Sequence, residues 1–243
     1  MDPSAWVDCY ESATSETIRL TAANLDAPVL SCPAWTGRDL LAHIGRTPIG
    51  WLKLMTQRGS EPADLASLRA DGDARVPNDP AVLAEWVTAQ VQHFTTTLRA
   101  IDPNEPVFTG GPSSEGWPSG TAAFWMRRGA VEASIHHWDA LSVSGAPQRP
   151  IPSLVASDGL DELTGGMIAY WISASPVSPA RSLTLAPSDV DRCWVLGGSD
   201  TSTAALVSGP AGSILLAMWG RGATQVDGDL DVLGEWAALA AAV

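Results

Sequence analysis

The stretch Arg127-Arg-Gly-Ala-Val-Glu132-Ala-Ser-Ile-His136-His-Trp-Asp139-Ala140 decides how the chain is read. Glu132 and His136 stand four residues apart, so on a helix they project from one face, one turn from each other. Trp125, Gly129 and Asp139 share that face, and the pattern predicts a helix from about Gly120 to Ser142. A carboxylate and an imidazole do not belong on an apolar helix face unless they are paired, hydrogen-bonded or ligating something. The chain has 4 histidines, and His43 lies upstream within another apolar stripe rather than opposite it. Two imidazoles and a carboxylate leave an open position on zinc, as catalytic zinc sites do. His43, Glu132 and His136 are therefore candidate metal ligands.

Upstream of this segment three more helices are expected. Residues from about Ser4 to Leu25 hold Trp6, Tyr10, Ile18 and Leu20 in a loose helical period. Thr36-Gly-Arg-Asp39 resembles a capping box with Asp in the reciprocal position, opening a helix that carries Leu40, Leu41, His43 and Ile44. A kink is expected at Pro48, followed by Trp51, Leu52 and Met55. Glu61 to Asp79 reads as polar and irregular, and Asn78-Asp79-Pro80 starts a third helix running to about Ala100. Four helices suggest a bundle, and bundles build metal sites in their cores from facing helices.

Ser144 to Pro152 looks like a linker between domains. Beyond it a helix is expected at Leu154 to Ile172, then short β-like runs at Leu183 to Ala186, Cys193 to Leu196 and Ala204 to Val207. A helix from Ala211 to Trp219, a strand from Thr224 to Val226 and a closing helix from Leu230 to Ala242 complete the pattern. The expected fold class is α+β: a metal-binding four-helix bundle over residues 1–145 and a small α+β domain over 152–243.

Composition narrows the partners. A net charge of −13 makes nucleic acid an unsuitable one, because neutralising phosphates takes clustered Lys and Arg. No segment has the unbroken apolar length of a membrane span, and the N-terminus shows no signal-peptide pattern, so a cytoplasmic protein is expected. Cys9, Cys32 and Cys193 are scattered and odd in number, which argues against a disulfide framework or a cysteine-zinc site. The 11 tryptophans point to an aromatic core or pocket lining, and Trp125 shares the face of Glu132 and His136. His137 points about 100° away from His136 and reads as packing or as an outer partner of a ligand.

With these residues in hand, the chain resembles the mycothiol-dependent maleylpyruvate isomerase family of actinobacteria. The resemblance rests on Ser31-Cys-Pro-Ala-Trp-Thr-Gly-Arg-Asp-Leu-Leu-Ala-His43-Ile-Gly45, on the stretch from Arg127 to Ala140, and on Gly209-Pro-Ala-Gly-Ser-Ile-Leu-Leu-Ala-Met-Trp-Gly-Arg221. It implies a DinB-like bundle joined to a sterol-carrier-like domain, with zinc on His43, Glu132 and His136. It also implies that Arg221 reaches toward the substrate as a catalytic residue. Trp125, because it shares the face of Glu132 and His136, is a candidate to line the pocket and bind the cofactor together with Arg221. The implied cofactors are zinc, or another divalent metal, and mycothiol; the implied partners are a low-molecular-weight thiol and a small electrophilic substrate. A metal-activated thiolate would add to an electron-poor cis alkene, allow rotation, and leave to give the trans product. The same chemistry could make a thiol S-transferase. A hydrolase without thiol, and a noncatalytic binding or regulatory protein that keeps the metal site, are the alternatives. The chain departs from relatives at Gly45-Arg-Thr-Pro-Ile-Gly-Trp51 and at Val131, which bears on the substrate pocket and not on the ligands. Oligomeric state is left open.

Overall fold

A computed structural model describes residues 1–56, 65–109, 120–168, 172, 179, 181–197, 204–222 and 224–241. They fall into two compact units, one within residues 1–149 and one within 150–243. Among the described residues no helix is long and apolar enough to cross a membrane.

The first unit holds helices α1 (Pro3–Ala22), α2 (Gly37–Thr56), α3 (Leu65–Ala74), α4 (Pro80–Ala100) and α5 (Ala122–Val143). Local chemistry sets most of their starts. Asp2 accepts from the Ala5 N–H and Asp79 from the Ala81 N–H, each ahead of a proline at the first helical position. The capping box at α2 is present: the Thr36 N–H donates to Asp39 Oδ2 at 2.8 Å, and the Asp39 N–H faces Thr36 Oγ1 at 3.4 Å. Helix α2 continues through Pro48.

The long helices close a core in which α1 lies along α5 and α2 packs on α4 and α5. Tyr10 meets Phe94 edge-on at 5.3 Å, and Leu40, Leu41, Leu83 and Phe94 are fully buried. Each such burial contributes about 1.5–3 kcal/mol. Polar residues on the inner face of α1 are satisfied within the helix. Thr14, Thr17 and Thr21 donate to the carbonyls of Tyr10, Ala13 and Thr17 at 2.7, 2.8 and 2.7 Å. Gly45 lets α2 approach α4, since a Cβ there would lie 2.3 Å from the Trp86 ring.

Helix α3 corrects the expectation of an irregular stretch from Glu61 to Asp79; residues 57–64 of that stretch lie outside the described residues. The helix has no apolar period to reveal it. It is held on α2 by ion pairs instead: Asp73 with Arg46 at 3.1 Å, and Asp71 with Lys53.

In the second unit α6 (Ser153–Glu162) runs into a π-helical turn at Leu163–Met167. The expectation of one regular helix from Leu154 therefore fails at Gly165-Gly166, where Gly166 leaves helical geometry with ψ −43° and φ 176°. Residues 169–171 lie outside the described residues. Strands β1 (Leu183–Pro187), β2 (Trp194–Leu196), β3 (Ala205–Gly209) and β4 (Asp227–Gly228) form a sheet in the order β2-β1-β3-β4. The β1–β3 pair is parallel and the other two pairs are antiparallel. Leu183, Leu185, Trp194, Leu196 and Val207 are buried on one face, while Val195 and Leu206 flank Thr184 on the other.

Helix α7 (Ala211–Met218) is buried at every position, as its uniformly apolar sequence requires, and α8 (Leu230–Ala241) closes the unit. The last strand lies two to three residues later than the expected Thr224 to Val226. Gln225 adopts φ 64° in a turn, and Gly228, at φ 118°, leaves no room for a Cβ against the Leu206 carbonyl.

Candidate metal centre

Helices α2 and α5 bring together residues 89 positions apart in sequence. His43 Nε2 lies 3.1 Å from Glu132 Oε1, and His136 Nε2 lies 3.2 Å from the same oxygen. Ligand atoms of the three residues all fall within 4.8 Å of one another. For a tetrahedral ion with bonds of about 2.0–2.2 Å, neighbouring ligand atoms would stand about 3.4 Å apart. The donor set therefore fits a divalent ion with little movement.

Surrounding groups orient these side chains. His136 Nδ1 pairs with Asp139 Oδ2 at 2.8 Å, leaving Nε2 to face the cluster. Asp139 is fully buried, and its other oxygen accepts from Ser31 Oγ at 2.5 Å. Arg128, one turn before Glu132, donates to Glu132 Oε2. Thr47 Oγ1 donates to the His43 carbonyl at 2.8 Å and lies 3.5 Å from His43 Nε2.

Trp35 covers both imidazoles, stacked on His136 at 5.9 Å and tilted on His43 at 5.0 Å. The loop carrying Ser31 and Trp35 is pinned by Val29 N–H to Trp35 O at 2.9 Å and Trp35 N–H to Cys32 O at 2.8 Å. His43 and Glu132 also border a narrow recess lined by Tyr10, Thr14, Thr47 and Trp51.

The three groups differ in charge. Burial pushes Glu132 up, but Arg128 and then the two imidazoles outweigh it and hold the carboxyl well below its usual range. Burial works against the charged form of His136, yet Asp139 and Glu132 raise it to about 9. Burial dominates at His43 and lowers it to about 4 despite Glu132. Near neutral pH the metal-free cluster thus holds a carboxylate, an imidazolium on His136 and a neutral imidazole on His43.

Of the residues singled out in the sequence, His43, Glu132 and His136 converge. Trp125 is buried, donates from its indole N–H to the Phe108 carbonyl at 3.0 Å, and packs at 5.5 Å on Trp51, which lines the recess. Arg221 belongs to the second unit, where Nη1 donates to the Trp219 carbonyl at 2.7 Å just beyond α7. His137 sits in the field of Glu16 and Arg149, away from the cluster. The sequence reading passed over Arg128, Thr47, Ser31 and Trp35 as site residues. Arg128 and Thr47 each stand four positions from a ligand on the same helix, a signal that was readable. Ser31 and Trp35 arrive through a loop and had none.

Fold and site together define a helical bundle with a two-histidine, one-carboxylate centre, followed by a small α+β unit. The chain belongs to the mycothiol maleylpyruvate isomerase family. The family model described as the mycothiol maleylpyruvate isomerase N-terminal domain matches residues 11–141, and the MDMPI C-terminal domain model matches 155–241. The crystal structure of the mycothiol-dependent maleylpyruvate isomerase is similar at 18% identity and TM-score 0.68, covering 94% of this chain and 93% of that one. A histidine-to-alanine mutant of a protein of that name is similar at 17% identity, with the same TM-score and coverage. No curated protein matches the chain by sequence. The family resemblance and the α+β fold expected from sequence are both borne out.

Proposed function

We propose that this chain is a metal- and thiol-dependent cis–trans isomerase acting on a maleylpyruvate-like substrate, with zinc as the metal and mycothiol as the thiol. The observation that carries this reading is the convergence of two imidazole nitrogens and one carboxylate oxygen in a member of this isomerase family. His43 Nε2, Glu132 Oε1 and His136 Nε2 would hold the ion. A divalent ion there supplies Lewis acidity, lowering the pKa of a coordinating thiol so that thiolate exists near neutral pH.

The chain's own residues do the rest. Asp139 accepts a hydrogen bond from the protonated Nδ1 of His136, which keeps the proton on that nitrogen and leaves Nε2 to offer its lone pair to an ion. His43 is neutral near pH 7, so binding an ion at Nε2 needs no net loss of a proton from it, only a shift of the ring proton from Nε2, where it faces Glu132, to Nδ1. Trp35 shields the imidazole faces from water. The recess of Tyr10, Thr14, Thr47 and Trp51 offers a small group a place beside the ligands. Arg221, assigned by family resemblance, is proposed to bind a substrate carboxylate or stabilise developing negative charge on its oxygen. Trp125 is proposed to act on the cofactor side through its packing on Trp51.

Elemental analysis of protein purified without an affinity metal, beside Glu132→Ala, tests the centre. About one zinc per chain, lost in the variant, is expected of a three-ligand site. Mycothiol-dependent conversion of maleylpyruvate by the loaded protein is expected in turn. Absence of metal after incubation with zinc overturns the reading, and thiol-independent turnover to a product that has taken up water redirects it to hydrolysis.

A further inference from the structure

Glu132 has two carboxylate oxygens, and the structure uses them differently. Oε1 faces both imidazole nitrogens at 3.1 and 3.2 Å, whereas Oε2 is taken by Arg128 Nη2. Arg128 starts one turn earlier on α5, so its side chain runs along the helix to reach the carboxylate. The two side chains are only 13% and 15% exposed. An exposed pair at this spacing would contribute little, because water and salt screen it. Little water competes here, and charge-assisted contacts of this kind are strong and directional.

We propose that Arg128 is a positioning residue that makes Glu132 a one-oxygen ligand and keeps the bound ion electron-poor. The inference rests on the metal-centre reading given under Proposed function. A two-oxygen clasp by Glu132 would require Oε2 to leave the guanidinium. While Arg128 holds it, a coordination position stays open for the thiol. The guanidinium also draws on the carboxylate's negative charge, so the carboxylate neutralises less of the ion's charge, and a thiol bound to the ion loses its proton at lower pH.

Cobalt(II) replacement reads both effects without turnover. Wild type, Arg128→Met and Arg128→Lys are loaded with cobalt(II), and their visible spectra are recorded before and after titration with 2-mercaptoethanol. Wild type is expected to give the intense bands of a four-coordinate ion. Arg128→Met is expected to give the weaker bands of a five-coordinate one, because Glu132 then closes on the ion with both oxygens. The pH midpoint for the sulfur-to-cobalt band should move up by about one unit in Arg128→Met. Arg128→Lys, which restores a donor and a charge, should lie near wild type. If Arg128→Met does not fold, Arg128→Gln is read in its place. Identical spectra and midpoints in wild type and the neutral variant, with both fully loaded, overturn the inference while leaving the metal centre intact. Failure of wild type to bind cobalt(II) or zinc would instead sink the metal-centre reading, and this inference with it.

Discussion

Replacing Asp139 by asparagine tests how the buried cluster is organised. Asp139 is fully buried and divides its oxygens between His136 Nδ1 at 2.8 Å and Ser31 Oγ at 2.5 Å. Asparagine keeps the shape and removes the charge. Loss of such an outer partner typically weakens metal binding about 10–100-fold, or about 1.4–2.7 kcal/mol. A second effect runs the other way. In the metal-free protein His136 is raised to about 9, partly by Asp139, so at pH 7 an ion must displace a proton held about two units above that pH. That competition costs about 2.7 kcal/mol and nearly vanishes above pH 9. Wild-type zinc affinity is therefore expected to rise from pH 7 to 9 and then level off.

In Asp139→Asn the proton is held less tightly, so the two effects oppose each other at pH 7 and only the loss remains at pH 9.5. Competition with a chromophoric zinc chelator at the two pH values should show a 10–100-fold loss at pH 9.5 and a clearly smaller one at pH 7. Equal losses at both, or none at pH 9.5, would refute the reasoning. Linkage has the matching sign without metal. A folded pKa above the ordinary value gives stability that is full below about 6.5 and is lost as pH rises through about 9.

His43→Ala and His136→Ala should each abolish zinc retention through gel filtration, since two remaining ligands hold the ion poorly; full occupancy in either would remove that residue from the centre. Arg221→Ala should retain metal and circular dichroism but lower kcat/KM about 10–100-fold, measured with loaded enzyme and saturating thiol. Unchanged kinetics would exclude Arg221 from the mechanism. Gly45→Ala places a methyl group 2.3 Å from the Trp86 ring between α2 and α4, and a destabilisation of about 1–3 kcal/mol is expected in urea unfolding. A midpoint equal to wild type would mean that the interface relaxes freely.

The parts of this protein that were legible in the sequence are those governed by neighbours along the chain. Asp2-Pro3, the Thr36/Asp39 box and Asp79-Pro80 mark helix starts because a cap needs only residues within one turn. Glu132 and His136 could be paired because helical spacing alone puts them on one face. His43 could join them only as a second imidazole far upstream in sequence, and through the resemblance. Helix α3 was missed because its attachment to α2 is electrostatic and leaves no hydrophobic period.

Tertiary structure decided the rest. Packing of α2 against α5 turned three suitable side chains into a cluster around one carboxylate oxygen, and the loop of Ser31 and Trp35 closed over it. It also set the charges. Two histidines of one ordinary pKa end at about 4 and about 9, because burial dominates at one while Asp139 and Glu132 outweigh it at the other. Electrostatic energy depends on distances in space and on exclusion of water, and neither quantity is written in the order of residues along a chain.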